Sequence, residues 1–232
     1  MIFEVKNVTK YFGNANCVLN NVSFGIEKSD TVAIVGANGC GKSTLVHILT
    51  GLYKPNKGFV LFNGNVVSGT SHMSEVSICL PNGDGLIPEM TVKDFMIFKS
   101  KLYNKSLEKD YLNLLGLDHI LKNKIGNCSS GEKQRLNLAC SLLENTDNFI
   151  FDEPTANLDI SSYNIFMEII NDLKRKKKTI LLVSHHIKEI KNMSKILIMS
   201  GGTIFKYTDM YENEDILESE LKMLCRENKT IR

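Results

Sequence analysis

Residues 36 to 44 read GANGCGKST, a match to G-x-x-x-x-G-K-[ST], and no other stretch constrains the fold of this chain as strongly. The apolar run Thr31 to Val35 precedes it, and Lys42 to Leu52 follows with Leu45, Ile48, Leu49 and Leu52 at helical spacing. A strand that runs through a glycine-rich turn into a helix is suited to holding an anion. Gly36, Gly39 and Gly41 let successive backbone N–H groups turn inward with no Cβ in the way. Ala37, Asn38, Cys40 and Thr44 complete the expected binding loop. Lys42 places a point charge on the β- and γ-phosphates of a nucleotide, Ser43 offers a hydroxyl to Mg²⁺, and the helix start adds partial positive charge. The alternative is a glycine-rich turn that matches by chance, and the strand-to-helix context argues against it. Cys40 is either a small filler beside the phosphates or, at an electropositive helix start, a reactive thiol.

Around this loop the chain alternates short apolar strands with amphipathic helices. Strands are expected at Ile2 to Val5, Val18 to Phe24, Thr31 to Val35, Phe59 to Phe62, Asn148 to Phe151, Thr179 to Val183 and Ile196 to Met199. Helices are expected from Lys42, from Gly131 to Leu143 and from Ser161 to Leu173. Continuous apolar strands between helices indicate a parallel sheet covered on both faces. From Asn82 to about Asn127 the sequence turns helix-forming, with Leu107, Tyr111, Leu112 and Leu115 on one face, Ser106 as N-cap and Gly116 as stop. This segment reads as a helical subdomain inserted into an α/β core. The core then covers about 1–81 and 131–211, the subdomain about 82–130, and a terminal helix with Ile216, Leu217, Leu221 and Leu224 the remainder, 212–232. The basic run Lys174 to Lys178 follows a helix, where cations suit the dipole, and reads as a solvated turn.

Composition removes several classes. With 232 residues the chain can bury a sizeable core without covalent staples. A net charge of +2 gives no reason to expect a nucleic-acid partner. The longest run free of Asp, Glu, Lys and Arg, Gly58 to Ser74, is interrupted by Asn, Gly, Ser and Thr, so no membrane-spanning helix is expected. MIFEVKNVTK lacks the features of a signal peptide, which implies a chain that stays in the cytosol. The six cysteines, at 17, 40, 79, 128, 140 and 225, form no C-x-x-C pair and are expected as reduced thiols.

A second motif narrows the chemistry. FIFDEPT, residues 149 to 155, ends an apolar strand in adjacent carboxylates. Asp152 is placed to hold a magnesium shell, and Glu153 to polarise a water in line with the γ-phosphate. The two motifs together indicate a P-loop NTPase. CSSGEKQR at 128 to 135 then resembles the signature sequence of ATP-binding cassette (ABC) ATPases, usually LSGGQ. ANLD at 156 to 159 resembles their D-loop and VSHH at 183 to 186 their H-loop, in the family's order over nearly the whole chain. Read on its own, Ser129 with Glu132 also fits the capping box S-x-x-E, and a serine-capped helix start is itself an anion site.

The resemblance implies a P-loop NTPase core with a mostly parallel sheet, an N-terminal antiparallel β subdomain and an inserted helical subdomain. It implies ATP and Mg²⁺ as ligands and ATP hydrolysis as the activity, with Glu153 and His185 catalytic and Ser43 and Asp152 at the metal. Ser129, Ser130, Gly131 and Glu132 would face ATP held by a second nucleotide-binding domain, of the same or another chain, with Asp159 in the D-loop. Phe12 matches the aromatic that stacks on adenine. Tyr11 is its neighbour and alternative, and an edge-of-core role for Phe12 is the plain reading of the residue. A separate transmembrane permease is the implied partner, on the cytoplasmic face of a membrane.

Two departures from the pattern stand out. Pro81-Asn82 occupies the place of the family's usual Gln, so the amide is one methylene shorter and reaches Mg²⁺ or water only through a second water or a loop shift. Cys128, Ser130 and Glu132 replace Leu, Gly and Gln of the signature. LIPEMTVKDFM and LLGLDHIL lean toward bacterial exporters of the drug, peptide or antibiotic-resistance type. The rivals are a soluble ABC-type ATPase acting on ribosome or chromosome, and a regulatory module that binds ATP without turnover. A single cassette without coiled-coil insertions counts against the first, and Glu153 against the second.

Overall fold

The computed structural model describes residues 1–13, 16–103, 113–143 and 146–209, together with Ile216 and Ser219. The chain divides into two compact units, Met1–Ser74 with Lys177–Arg232, and Glu75–Lys176.

The first unit holds two sheets. β1 (Phe3–Phe12), β2 (Asn16–Ile26), β4 (Lys57–Phe62) and β5 (Asn65–Val66) form an antiparallel sheet in the order β2-β1-β4-β5. Its register pairs Phe3 with Ile26 on one side and with Phe62 on the other, and Val5 with Phe24 and Val60. These six side chains are buried, with the Phe3 and Phe62 rings 5.0 Å apart. The pairing explains why β1 runs to Phe12, well beyond the expected Val5: its second half is held by β2 as far as Phe12 and by β4 as far as Thr9.

The other sheet of this unit contains β3 (Thr31–Gly36), β8 (Thr179–Val183), β9 (Lys195–Ser200) and β10 (Thr203–Asp209) in the order β10-β9-β3-β8. β3 pairs in parallel with β8 and β9, while β10 returns antiparallel at the edge. Every residue of β8 and all but the last of β3 are buried, as expected of strands covered on both faces. β10 was not foreseen, because an edge strand of exposed and half-buried residues carries little apolar signal.

Helix α1 (Lys42–Leu49) buries Leu45, Val46, Ile48 and Leu49. It stops three residues short of the expected Leu52. Thr50 turns its hydroxyl back onto the carbonyls of Val46 and His47, both at 3.1 Å, and Gly51 takes a left-handed φ of 74° that ends the helix. Leu52 is left 52% exposed.

In the second unit β6 (Val76–Cys79) and β7 (Asn148–Asp152) are parallel, with Ser77 opposite Phe149 and Cys79 opposite Phe151. β6 was also missed, being too short to display a period. The α2 helix (Val92–Leu102) is capped by Thr91, whose hydroxyl accepts from the Asp94 N–H. Helix α3 (Ser130–Leu143) follows, and then α4 (Ile160–Arg175), capped by Asp159. Phe166, Ile169, Ile170 and Leu173 form the buried stripe of α4, and the Phe166 ring meets Phe151 edge-on at 5.7 Å.

The basic run is not uniformly solvated. Lys176 and Arg175 both pair with Asp172, at 2.6 and 3.3 Å, while burial holds the Lys174 ammonium below its usual pKa. Cys17, Cys40, Cys79, Cys128 and Cys140 are free thiols, and no helix among the described residues is long and apolar enough to cross a membrane. The expected cap at Ser106, the face at Leu107, Tyr111 and Leu112, and the terminal helix apart from Ile216 and Ser219 lie outside the described residues. Leu115 is buried, and Gly116 has the left-handed φ of a stop.

Candidate functional site

In the first unit, the loop from Gly36 to Gly41 joins β3 to α1. Its parts are held by the sheet: a Cβ at Gly41 would lie 2.7 Å from Leu19 and 2.8 Å from the Val18 carbonyl, so the chain passes there without a side chain. At Gly39 the opposite holds. A Cβ would meet nothing within 4 Å, which leaves that face of the loop open to a ligand.

Helix α1 starts at Gly41 with no side-chain cap and no acidic residue in its first turn. The N–H groups of Lys42, Ser43 and Thr44 at that start are the orphan donors of a helix terminus, and they carry the positive end of its dipole. Lys42 is 7% exposed, and its ammonium donates to the carbonyls of Gly36 and Ala37 at 2.9 and 3.2 Å. A charged donor curled over an open loop above uncapped N–H groups can bind a polyanion. Asn38, Gly39 and Ser43 are exposed, Ala37 and Thr44 half-buried, and Cys40 buried, its N–H bonded to the Ala37 carbonyl.

Phe12 ends β1 with 38% of its surface exposed. Its ring meets Tyr53 edge-on at 5.5 Å, and the Lys10 ammonium lies 5.3 Å from its centroid. Tyr11 beside it is equally exposed. Phe12 thus sits partly exposed at the strand end, with the Tyr53 ring and the Lys10 ammonium against it. His185 follows β8, exposed, its ring 4.3 Å from that of His186.

In the second unit, β7 ends in Asp152, which is buried, and Glu153, which is half-buried. Glu153 has a φ of 48°. A left-handed conformation costs a non-glycine residue about 1–2 kcal/mol, and such strain gathers at working positions. The carboxylate of Asp152 is a hard oxygen donor of the kind that suits Mg²⁺ rather than a soft metal, and in the first unit the Ser43 hydroxyl is a hard oxygen donor as well.

At the start of α3, Ser129 and Glu132 form the capping box expected from their spacing. The Ser129 N–H and hydroxyl both donate to Oε2 of Glu132, at 2.7 and 2.9 Å, and the Glu132 N–H donates back to the Ser129 hydroxyl at 3.2 Å. Those bonds hold the Glu132 carboxyl below its usual pKa. Burial raises the Cys128 thiol, helped by the Glu132 charge. Ser130 is exposed, and Gly131 packs so closely that a Cβ there would lie 2.9 Å from the Asn157 carbonyl. Asp159 accepts from the Ser162 N–H at 2.7 Å and lies 3.3 Å from Arg135.

Asn82 also lies in the left-handed region, with φ 57° and ψ 15°, and its Oδ1 accepts from Nδ2 of Asn157 at 3.4 Å. Reading it as a shortened Gln missed this, because the choice of Asn there follows from the backbone. The sequence reading also passed over Gln134, Asn137 and Ser141, which are buried polar residues of α3. Nε2 of Gln134 donates to the Pro154 carbonyl at 2.9 Å, Nδ2 of Asn137 to the Leu80 carbonyl at 2.8 Å, and the Ser77 hydroxyl donates to the Ser141 carbonyl at 2.6 Å. The available signal was their helical spacing, i, i+3 and i+7, along the stripe that should have been apolar.

A family profile described as "ABC transporter" matches residues 19–156. The zinc import ATP-binding protein ZnuC of Rickettsia conorii is 33% identical over 205 residues, which cover 86% of this chain and 83% of that protein. The energy-coupling factor transporter ATP-binding protein EcfA1 of Mycoplasmopsis pulmonis is 34% identical over 233 residues, 94% of this chain and 87% of that protein. Among solved structures, the ATP-binding cassette MJ0796 in a dimeric post-hydrolysis state with ADP and Pi superposes with a TM-score of 0.79, covering 91% of this chain and 100% of that one at 22% identity, a likeness of fold. With the loop, the strand-end carboxylates and the capped signature helix in place, these matches show that the chain belongs to the ABC transporter family and is one of its ATP-binding, ATP-hydrolysing subunits.

Proposed function

We propose that this chain binds Mg·ATP and hydrolyses it while closing against a second nucleotide-binding domain, so driving a separate membrane permease from the cytoplasmic face. The observation that carries the reading is the open loop over the uncapped start of α1, with the Lys42 ammonium drawn into it. Lys42 and the N–H groups of that loop neutralise the phosphates, and Phe12 stacks on the adenine. Ser43 and Asp152 would hold Mg²⁺, which would supply charge neutralisation to the phosphates. Glu153 orients a water on the γ-phosphorus and takes its proton as the bond to the β–γ bridging oxygen breaks, giving ADP and phosphate. His185 holds the γ-phosphate from its other side. Ser129, Ser130, Gly131 and Glu132 act on the ATP of the partner domain, with Asp159 beside them. Asn82, engaged by Asn157, serves the turn that begins the helical subdomain, about 82–130, and would reach Mg²⁺ only through a second water or a loop shift.

Export, expected from the sequence of that subdomain, finds no support among the relatives, one of which is named for zinc import. The proposal is transport without a direction.

Glu153→Gln tests it. The variant should lose turnover and collect as an ATP-bound dimer on size-exclusion chromatography. Turnover equal to that of the native protein would sink the role given to Glu153.

A further inference from the structure

Glu153 occupies a conformation that two local rules oppose. It is a non-glycine residue at φ 48°, and it precedes Pro154, a position that sterically favours extended backbone. Turn bonds close the loop from within, from the Ala156 N–H to the Glu153 carbonyl at 3.2 Å and from the Leu158 N–H to the Thr155 carbonyl at 3.1 Å. From outside the loop, Gln134 of α3 sets its amide on the Pro154 carbonyl at 2.9 Å. The next residue, Arg135, grips the far end of the same loop, 3.3 Å from Asp159 and 3.4 Å from the Ser162 hydroxyl.

Gln134 is 0% exposed, and its Oε1 has no hydrogen-bond partner among the described residues. Burying an amide with its acceptor unsatisfied is unfavourable, and methionine would fill the same volume without that cost. What the amide adds over methionine is the bond to Pro154, together with a long contact from Nε2 to Sγ of Cys79 at 3.7 Å. We infer that Gln134 is a positioning residue for hydrolysis: from the signature helix it holds the carbonyl next to Glu153, and so keeps the Glu153 carboxylate aimed at the attacking water. The inference rests on the role proposed for Glu153.

The test compares ATP turnover and ATP affinity in the full-length chain for Gln134→Met and Gln134→Glu, each also combined with Glu153→Gln. Gln134→Met should lower kcat at least about tenfold while KM and the affinity for a fluorescent ATP analogue stay within about twofold of native, with no loss of thermal stability. In the Glu153→Gln background it should lower the residual rate no further, because the two residues act as a unit. Gln134→Glu should show a new pH dependence. The protonated carboxyl can donate to Pro154 and the ionised one cannot, so turnover relative to native rises toward acid pH. Native kcat in Gln134→Met, a change confined to KM, a further tenfold loss on top of Glu153→Gln, or a native pH profile for Gln134→Glu would each overturn the inference. If Glu153→Gln alone turns over at the native rate, it is the reading of Glu153 that fails, and the role of Gln134 falls with it.

Discussion

Ser129 and Glu132 satisfy one another at the first turn of α3: one carboxylate oxygen accepts from both the N–H and the hydroxyl of Ser129, and that hydroxyl accepts from the N–H of Glu132. The replacement of the family's usual Gln by Glu therefore keeps the cap and strengthens it with charge.

The cap is pH-dependent. The Ser129 N–H, and after it the Ser129 hydroxyl, lower the folded-state pKa of Glu132 below its unfolded value of about 4.3. Its stabilisation is complete above that value and is lost as the pH falls through the folded pKa. Glu132→Gln should thus lose less stability than the native protein between pH 5 and pH 3 in urea titrations. Ser129→Ala should cost about 1 kcal/mol at neutral pH.

Asn82→Gln, which restores the residue usual in the family, should not improve the enzyme. Glutamine resists the left-handed φ of 57°, a penalty of about 1 kcal/mol, and the bond from Asn157 is lost with the shift in reach. Asn82→Gly, which accepts that backbone freely, should be the more stable of the two variants. Urea midpoints and steady-state ATPase rates check both; a faster Asn82→Gln enzyme would contradict the assignment.

Lys42→Ala removes the buried ammonium, the charged side chain of the 36–44 loop. Hydrogen bonds to charged groups contribute about 1.5–3 kcal/mol, which corresponds to a loss of ATP affinity of about 10–150-fold. Fluorescence titration measures it, and native affinity would refute the cradle.

Phe166→Ala should destabilise the second unit by about 3–5 kcal/mol, since the ring is fully buried and edge-on to Phe151. Because Phe151 immediately precedes Asp152, loosened packing at the strand end should lower turnover as well as the thermal midpoint. A midpoint within a degree of native would show that the site collapses to fill the space.

Much of the site was legible because its chemistry is local. The glycine-rich loop, the strand-end carboxylates and the signature each lie within fewer than ten residues, and the Ser129–Glu132 cap follows from a spacing of three. The element boundaries that failed did so for identifiable reasons. Leu52 kept the helical period of α1 but lay beyond a threonine and a glycine that ended it, and β6 and β10 were too short or too polar to show a period.

The sequence by itself determined the family, the anion-binding loop and the alternation of strands and helices, because those depend on residue type and near spacing. Tertiary structure alone decided that Asn82 and Glu153 sit in left-handed conformations, that Gln134 and Asn137 spend their amides on Pro154 and Leu80, and that the antiparallel sheet runs β2-β1-β4-β5. The two amide bonds depend on backbone carbonyls distant in the chain. A buried amide must find a partner wherever packing provides one, and no local pattern records which carbonyl that will be.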